Sequence, residues 1–190
     1  MKAVLICIQP KWCKLILKCI GWENQRPLYK KRLELRKTAP KPPFKAHIYC
    51  TKGKTVDELF TIATRGNNYL ANGKIIGEFV CNYVLSHCEM ANADIAEQMS
   101  CVSREDILKY ANGKKVLGWH IDELVIYDKP KELSEFYTEC RMNCEHCEMW
   151  GYTRVNAEEF DMDCKSDWYN HKPLTRPPQS WCYVDVPEGR

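Results

Sequence analysis

The 190-residue sequence has no long apolar run and no glycine-rich phosphate loop. Its N-terminal apolar run, Ala3 to Ile8, ends at Gln9-Pro10-Lys11, so it is too short for a signal peptide and lacks a cleavage site. No stretch approaches the roughly 20 apolar residues that a transmembrane helix needs. We therefore expect a cytoplasmic protein with no membrane partner. Regular alternation of strands and helices is also absent, which argues against a doubly wound parallel sheet.

Charge is distributed unevenly along the chain, although the net charge is only +3. The segment from Lys11 to Lys54 contains thirteen Lys or Arg against two acids, whereas the segment from Glu132 to Asp167 is acidic. Such asymmetry creates a local field that the net charge hides. It permits a nucleic-acid partner near the basic segment. The alternative is a surface of solvated lysines.

The apolar patterns predict an α+β protein, with five or six strands and short helices arranged as a small mixed β-barrel with flanking helices. Strands are predicted over residues 2–8, 33–36, 44–51, 74–84, 115–127 and 180–186. Helices are predicted over residues 10–20, 55–71, 92–99 and 103–112, with one helical turn at 133–137. Thr55 and Ser103 are the expected N-caps of two of these helices.

The twelve cysteines fall into different environments. Cys7, Cys50 and Cys81 lie in apolar strand-like runs, which predicts small buried core residues. A second group lies in polar, aperiodic sequence near the C-terminus, where burial does not explain cysteine. This segment, residues 138–172, has too little apolar sequence to order itself without a cross-link or a metal. We therefore divide the chain into a core at 1–137, an insertion at 138–172, and a last strand with a tail at 173–190.

The cysteines of the insertion have the spacing of a metal site. Cys144 and Cys147 are separated by two residues, which lets two thiolates bind one tetrahedral ion. Cys140 lies near enough to be a third ligand, and Cys164 is the natural fourth. Four thiolates leave no open coordination position, so the predicted site is a structural zinc ion. A disulfide, a redox pair, an iron–sulfur cluster and free thiols remain alternatives.

Several motifs together resemble a known family. Residues 31–36 (KRLELR) match the latter part of the ASCH-domain signature G-x-K-x-x-E-x-R, with Tyr29 at the family glycine. Further motifs resemble ASCH-like proteins of phages and prophages, and they occur at residues 9–13, 48–52, 77–79, 119–130 and 177–184. The resemblance implies a barrel related to the PUA domain, with a cleft beside the first helix. It also implies RNA binding, although some ASCH relatives hydrolyse modified cytidines or cleave RNA.

The resemblance places Lys31, Glu34 and Arg36 in that cleft. Residues two apart on a strand point to the same side, so Glu34 and Arg36 can act together. The guanidinium holds the carboxylate in place, the carboxylate accepts from a base amino group, and the guanidinium reaches a phosphate or carbonyl. Lys31 is at odd spacing from both and must come from the preceding loop. The alternative is an exposed ion pair worth about 0–1 kcal/mol.

Aromatic rings complete the predicted nucleic-acid site. Trp12, Trp119 and Trp181 lie in or beside the family-like motifs, and Lys11 precedes the first of them. A base that stacks on an indole gains roughly 1–3 kcal/mol. The alternative is that these large rings fill the core of a small barrel.

The sequence favours an RNA- or nucleobase-binding module with a structural zinc ion. A small hydrolase of modified nucleosides or RNA is the second hypothesis, and a phage-encoded protein that binds a host protein is the third. Hydroxyls for catalysis are available at Thr38 and Ser180, but neither aligns with a family catalytic position. The sequence therefore assigns no catalytic residue, and it does not predict the oligomeric state.

Overall fold

The computed structural model describes residues 2–18, 31–86, 93–138 and 173–185. Within these ranges strands predominate and three short helices accompany them. The strands are β1 (Lys2–Ile8), β2 (Leu33–Arg36), β3 (Phe44–Cys50), β4 (Thr61–Thr64), β5 (Asn67–Leu70), β6 (Ile75–Cys81), β7 (Val84–Leu85), β8 (Leu117–His120), β9 (Asp122–Lys131), β10 (Tyr137–Thr138) and β11 (Trp181–Asp185). The helices are α1 (Pro10–Lys18), α2 (Ala93–Ser100) and α3 (Arg104–Ala111), and single 3₁₀ turns cover Val56–Glu58 and Leu133–Glu135.

A six-stranded sheet with the strand order β10-β11-β1-β3-β6-β9 forms the centre of the described structure. β1 and β3 are parallel neighbours, and the other neighbouring pairs are antiparallel. The central strands β1 and β3 are buried over most of their length, because apolar side chains of other elements pack on both faces of the sheet. A parallel pair needs a crossover connection, and α1 and β2 lie in the chain between β1 and β3.

The two faces of this sheet pack into separate apolar cores, because successive strand residues point to opposite faces. Ile6 and Ile8 of β1 belong to the core that also contains the buried side of α1. Leu5 and Cys7 belong to the opposite core, together with Phe136. The first core also contains Trp119, which belongs to a second, smaller sheet. This core therefore lies between the two sheets.

A smaller sheet with the order β2-β8-β7 carries Glu34 and Arg36 on its edge strand β2. Its register places Glu34 opposite Trp119 and Arg36 opposite Leu117. Helices α2 and α3 cover this sheet through a third apolar cluster that includes Leu35. Helix α3 begins as the sequence predicts, since the Ser103 hydroxyl accepts a hydrogen bond from the backbone N–H of residue 106 at 3.2 Å.

The predicted helix from Thr55 to about Ala71 is wrong. The chain makes one 3₁₀ turn there and then a β4–β5 hairpin. The hairpin turn has positive φ at both central residues, 45° at Arg65 and 81° at Gly66, as the favoured two-residue hairpin turn requires. Three of the four residues of β4 are β-branched, which favours a strand over a helix. Acidic residues after Thr55 resemble a helix start but are followed by a single turn.

Two of the predicted strands are interrupted in the structure. The strand predicted over residues 74–84 ends at Cys81, and the next two-residue strand, β7, pairs in the smaller sheet. The strand predicted over residues 115–127 divides at Ile121, whose N–H donates to the Arg32 carbonyl at 2.8 Å. β9 then continues to Lys131, so Pro130 does not stop it. An edge strand of the sheet tolerates proline because its missing N–H is not needed there.

The predicted α+β class is confirmed as a mixed, sheet-dominated fold with a few helices. Among the described strands no sheet closes on itself, so the closed barrel of the sequence prediction is not observed. The described part of the chain contains no helix long and apolar enough to cross a membrane. The predicted insertion at 138–172 lies outside the described residues except for its first residue.

A polar network spans β3, β6 and β9 on the face of the central sheet that carries the core with Phe136. The hydroxyl of Tyr127 donates to Glu78 Oε2 at 2.6 Å and lies 2.9 Å from His47 Nδ1. Lys45 Nζ donates to Glu78 Oε1 at 2.8 Å. The imidazole packs edge-on against Phe136, with 5.0 Å between ring centroids. His47 is 3% exposed, so burial and the neighbouring protein groups determine its protonation state.

Burial lowers the pKa of His47 to about 4, although the neighbouring Glu78 carboxylate acts in the opposite direction. Burial opposes ionisation of Glu78 too, but hydrogen bonds from Lys45 and Tyr127 outweigh it and lower the pKa of that carboxyl. Between pH 6.5 and 4 the unfolded chain therefore binds a proton at His47 that the folded protein does not bind. The free energy of unfolding must fall as the pH falls through this window.

We predict that the His47→Gln variant loses this pH dependence. The wild-type protein should lose roughly 2–3 kcal/mol of unfolding free energy between pH 7 and pH 4.5, because over this range His47 gains its proton mainly in the unfolded chain. Gln keeps a hydrogen-bonding amide but cannot take up a proton. Urea unfolding at several pH values checks this, and equal slopes for wild type and variant between pH 6.5 and 5 would contradict it.

Candidate ligand-binding cavity

A cavity of about 810 Å³ lies at the carboxyl ends of the parallel strands β1 and β3. Residues that follow both strands line it: Gln9 and Pro10 after β1, and Thr51 to Lys54 after β3. Residues 34–36 of β2 and one face of α3 form further walls. The crevice beyond the carboxyl ends of parallel strands is a recurrent ligand site, because the connecting segments diverge there.

One wall of the cavity is an ion group formed by Lys31, Glu34 and Arg36. Glu34 Oε1 lies 3.0 Å from Arg36 Nη2, and Glu34 Oε2 lies 3.1 Å from Lys31 Nζ. Arg36 Nη2 also donates to the backbone carbonyl of Cys7 at 2.6 Å. The guanidinium therefore connects β2 to the C-terminal end of β1. The structure thus brings together the three residues that the family resemblance placed in a cleft.

The ion group is almost fully buried. The side chains of Lys31, Glu34 and Arg36 are 2%, 7% and 10% exposed, which excludes the exposed ion pair that was the alternative. The two cations and the one anion among these three side chains sum to a formal charge of +1. A positive sum favours an electronegative or anionic ligand beside the group.

Two polar atoms of the ion group keep unused hydrogen-bonding capacity among the residues that the structure describes. Arg36 Nε is a donor with no hydrogen-bond partner, and Glu34 Oε2 meets Lys31 Nζ at 3.1 Å but accepts no regular hydrogen bond. Buried polar atoms in proteins nearly always have a hydrogen-bond partner, so each exception calls for an explanation. Both residues line the cavity. This unused capacity therefore lies beside the space that a ligand would occupy.

Four exposed lysines surround the ion group on other parts of the lining: Lys11, Lys52, Lys54 and Lys109. Two further acids line the cavity, Glu58 and Asp106, and the carboxylate of Glu58 already accepts the backbone N–H of Lys54 at 2.6 Å. Helix α1 begins at the cavity, so its N-terminal end adds a partial positive charge. The lining as a whole favours anions.

Two aromatic side chains line the cavity, Trp12 on α1 and Tyr110 on α3. The Trp12 ring is approached by Lys11 Nζ at 4.3 Å and by Lys31 Nζ at 5.5 Å from its centroid. Tyr110 is 40% exposed, and burial raises its pKa, so the ring carries a neutral phenol. Lys109 and Tyr110 were missed by sequence reasoning. Their spacing from Asp106 puts all three on one helix face, but nothing in the sequence shows that this face meets a cavity.

The other two predicted tryptophans do not line the cavity. Trp119 is fully buried, packs edge-on against Phe44, and donates its indole N–H to the carbonyl of Thr38 at 3.2 Å. A ring with no exposed face cannot stack on a base, so the core interpretation applies to Trp119. Trp181 is half-buried and donates to the Thr38 hydroxyl at 3.0 Å. Of the two hydroxyl residues considered earlier, only Ser180 lines the cavity.

The cysteines predicted to lie in the core do so. Cys7, Cys50 and Cys81 are buried, and burial raises the pKa of Cys7 to about 12 and that of Cys81 to about 11. Cys7 and Cys81 are therefore neutral thiols with little nucleophilic character at physiological pH.

The predicted metal ligands Cys140, Cys144, Cys147 and Cys164 lie outside the described residues. Within the described ranges no group of three or more metal-ligating side chains occurs.

Comparison with known proteins relates the chain to one fold. No family model matches the sequence, and no curated protein is similar to it. The crystal structure of ASCH from Zymomonas mobilis is similar over 97% of this chain and 88% of its own, with a TM-score of 0.54 at 15% identity. A mutant of the Zymomonas mobilis protein is similar over 97% of this chain and 91% of its own, with a TM-score of 0.53 at 14% identity. The predicted ASCH-like fold is thus confirmed, and identity this low shows the fold alone.

We predict that Glu34→Gln strongly destabilises the protein. The change removes the carboxylate that Lys31 Nζ and Arg36 Nη2 both contact, and loss of one member of a buried ion group typically costs about 3–5 kcal/mol. A matched control is Asp128→Asn, because Asp128 pairs with Arg65 at 2.6 Å with both side chains more than half exposed. That change should cost no more than about 1 kcal/mol. Urea unfolding of both variants measures the difference, and similar small losses would contradict the role of the buried group.

Proposed function

We propose that the cavity binds RNA or a nucleotide-like ligand through the edge of a base. The observation that carries this proposal is the unused hydrogen-bonding capacity of two buried atoms in its wall. The donor Arg36 Nε has no hydrogen-bond partner, and the acceptor Glu34 Oε2 meets Lys31 Nζ but accepts no regular hydrogen bond. The base of a cytosine, adenine or guanine offers an exocyclic amino group next to a ring nitrogen or carbonyl. Such an edge offers an acceptor to Arg36 Nε and a further donor to Glu34 Oε2.

Charge supports a ligand that carries phosphate. The buried ion group has a formal charge of +1, and four exposed lysines stand around it. Phosphate contacts supply most of the sequence-independent affinity of nucleic-acid-binding proteins. The cavity volume of about 810 Å³ leaves room for a base together with its sugar and phosphate.

Aromatic rings support a planar ligand group. Trp12 and Tyr110 line the cavity on two different helices, and bases stack on such rings irrespective of sequence. Lys11 lies over the Trp12 ring at 4.3 Å and is exposed, so it can move from the ring to a phosphate. Trp119 and Trp181 have no part in the proposed site.

The fold supports the proposal without deciding it. The similarity to ASCH structures agrees with the RNA-binding role that the sequence motifs imply, but a fold hosts many functions and the site must carry the argument. Lys31, Glu34 and the Ser180 hydroxyl share the cavity lining. That combination keeps a hydrolase as the second candidate function. Phage origin, a cytoplasmic location and the three-part division of the chain stay predictions.

We also propose that Cys140, Cys144, Cys147 and Cys164 bind a structural zinc ion. Their spacing and their polar surroundings support it. Purified protein should then contain about one zinc per chain, and Cys144→Ser should lower that content and release zinc to a chelator more readily. Cys101→Ser is the matched control and should keep the wild-type content. An unchanged zinc content in Cys144→Ser, measured by elemental analysis, would rule out this ligand set.

The RNA proposal predicts salt-dependent binding that depends on Tyr110. A fluorescein-labelled, short single-stranded RNA of mixed sequence should bind in an anisotropy titration, with weaker affinity at higher salt. Tyr110→Leu should weaken binding by roughly tenfold, since base–ring stacking contributes about 1–3 kcal/mol. Tyr83→Leu is the matched control, because Tyr83 is also about two-fifths exposed but does not line the cavity.

Glu34→Gln provides the second arm, provided that circular dichroism shows it folded at the assay temperature. It should bind RNA more weakly than Tyr83→Leu, because a donor NH2 replaces one carboxylate oxygen and the negative charge that attracts the base amino group is lost. Equal binding by all of these variants, or no binding by the wild type, would overturn the proposal. RNA that is shortened after incubation with the wild type, but not with Lys31→Ala, would identify the hydrolase instead.

A further inference from the structure

The cavity wall that follows β3 is a separately organised loop, residues 51–58. Its first residue is tied to β1, since the Thr51 N–H donates to the Ile8 carbonyl at 2.9 Å. Lys52, Gly53, Lys54 and Glu58 of this loop line the cavity. Lys52 and Lys54 are exposed, and neither lies in the buried ion group. The loop therefore presents two cations to the cavity, and Glu58 is the acid of the loop that also lines it.

Asn72 holds this loop in place from beneath. Its side chain is buried, with 6% of the residue exposed, and its Oδ1 accepts the Phe60 N–H at 2.9 Å. Its Nδ2 donates to the carbonyls of Lys52 at 3.1 Å and Glu58 at 3.2 Å, and a longer contact of 3.5 Å reaches Thr51. One amide thus joins both ends of the loop. Asn72 does not line the cavity.

The loop has a second constraint at Gly53. Its φ of +80° is a conformation that favours glycine, and a Cβ here would lie 2.9 Å from Glu58 Oε2 and 3.0 Å from Glu58 Cβ. Glu58 occupies that space because its Oε2 accepts the backbone N–H of Lys54 at 2.6 Å. The only acid of the loop that lines the cavity is therefore engaged by the loop itself. The backbone that carries Lys52 and Lys54 is thus held near both ends by Asn72 and in its middle by Glu58.

We propose that this loop is a phosphate-binding wall and that Asn72 is the residue that positions it. The inference rests on the proposed function and names its second subsite: with a base against Glu34 and Arg36, the phosphate lies at Lys52 and Lys54. Lysine binds phosphate as a point charge on a flexible stem. A fixed backbone beneath two such stems limits where that charge can go, so positioning by Asn72 strengthens the contact without touching the ligand.

The test is a set of salt titrations of the labelled single-stranded RNA used above. Changing both Lys52 and Lys54 to Gln should reduce the slope of log affinity against log salt by about 1.4, from roughly 0.7 per lost phosphate contact. The matched control changes Lys114 and Lys115 to Gln, since these two lysines are also exposed but lie outside the cavity lining. The control should leave the slope within about 0.3 of the wild-type value.

Asn72→Asp isolates the positioning role. Aspartate keeps the acceptor for the Phe60 N–H, but it has no donor for the carbonyls of Lys52 and Glu58. The variant should weaken RNA binding several-fold and reduce the salt slope in the wild-type background. In the background that lacks Lys52 and Lys54 it should have no further effect on either quantity, because it acts through those lysines.

Three results overturn the inference. A slope that does not change in the Lys52 and Lys54 variant, or that changes as much in the control, removes the phosphate wall. Equal losses for Asn72→Asp in both backgrounds show that Asn72 acts on overall stability only. If RNA binding depends on Tyr110 but not on these lysines, the wall alone fails, whereas absence of all binding removes the proposed function with it.

Discussion

The buried contact between Arg36 and the end of β1 fixes the geometry on which the rest of the site depends. Its guanidinium binds both the Cys7 carbonyl at 2.6 Å and the Glu34 carboxylate at 3.0 Å. This joins the smaller sheet to the central sheet where the parallel strands end. Without that contact, the cavity would lose the relation between its ion-group wall and the segments that follow β1 and β3. The same atoms thus hold the fold and shape the site.

Burial gives this group its chemical character. An exposed Lys–Glu–Arg group would be screened by water and would contribute little. Here the exposed fractions of the three side chains do not exceed 10%, so bulk water screens their charges little and they act on the adjacent cavity. The exposed lysines extend the positive field outward, and Trp12 and Tyr110 add flat apolar surfaces. A ligand that is planar at one end and anionic at the other matches this arrangement.

Much of the central sheet could be predicted from the sequence, because its strands are short apolar runs between clear breaks. The start of α1 at Pro10 and the capping of α3 by Ser103 were also predictable from local chemistry. The β4–β5 hairpin was not, since acids after Thr55 imitate a helix start and the Arg65–Gly66 turn lacks the usual Asn-Gly signal. In this segment the acids after Thr55 favour a helix and the β-branched residues of β4 favour a strand, and the strand forms.

The site was predictable only in part, for a related reason. The spacing of Glu34 and Arg36 puts them on one side of a strand, so their pairing follows from the sequence. Which aromatic residues reach the cavity depends on how α3 and β8 pack, which no local pattern encodes. Trp119 therefore proved to be a core residue, whereas Tyr110 lines the cavity.

The most direct test of the account is an NMR titration that follows the Arg36 Nε–Hε resonance while short single-stranded RNA is added. The account predicts a large, saturable shift of this resonance, with the Lys52 and Tyr110 backbone amides shifting at the same RNA concentrations. Shifts confined to residues that do not line the cavity, such as Tyr83 and Lys115, with the Arg36 resonance unchanged, would contradict it.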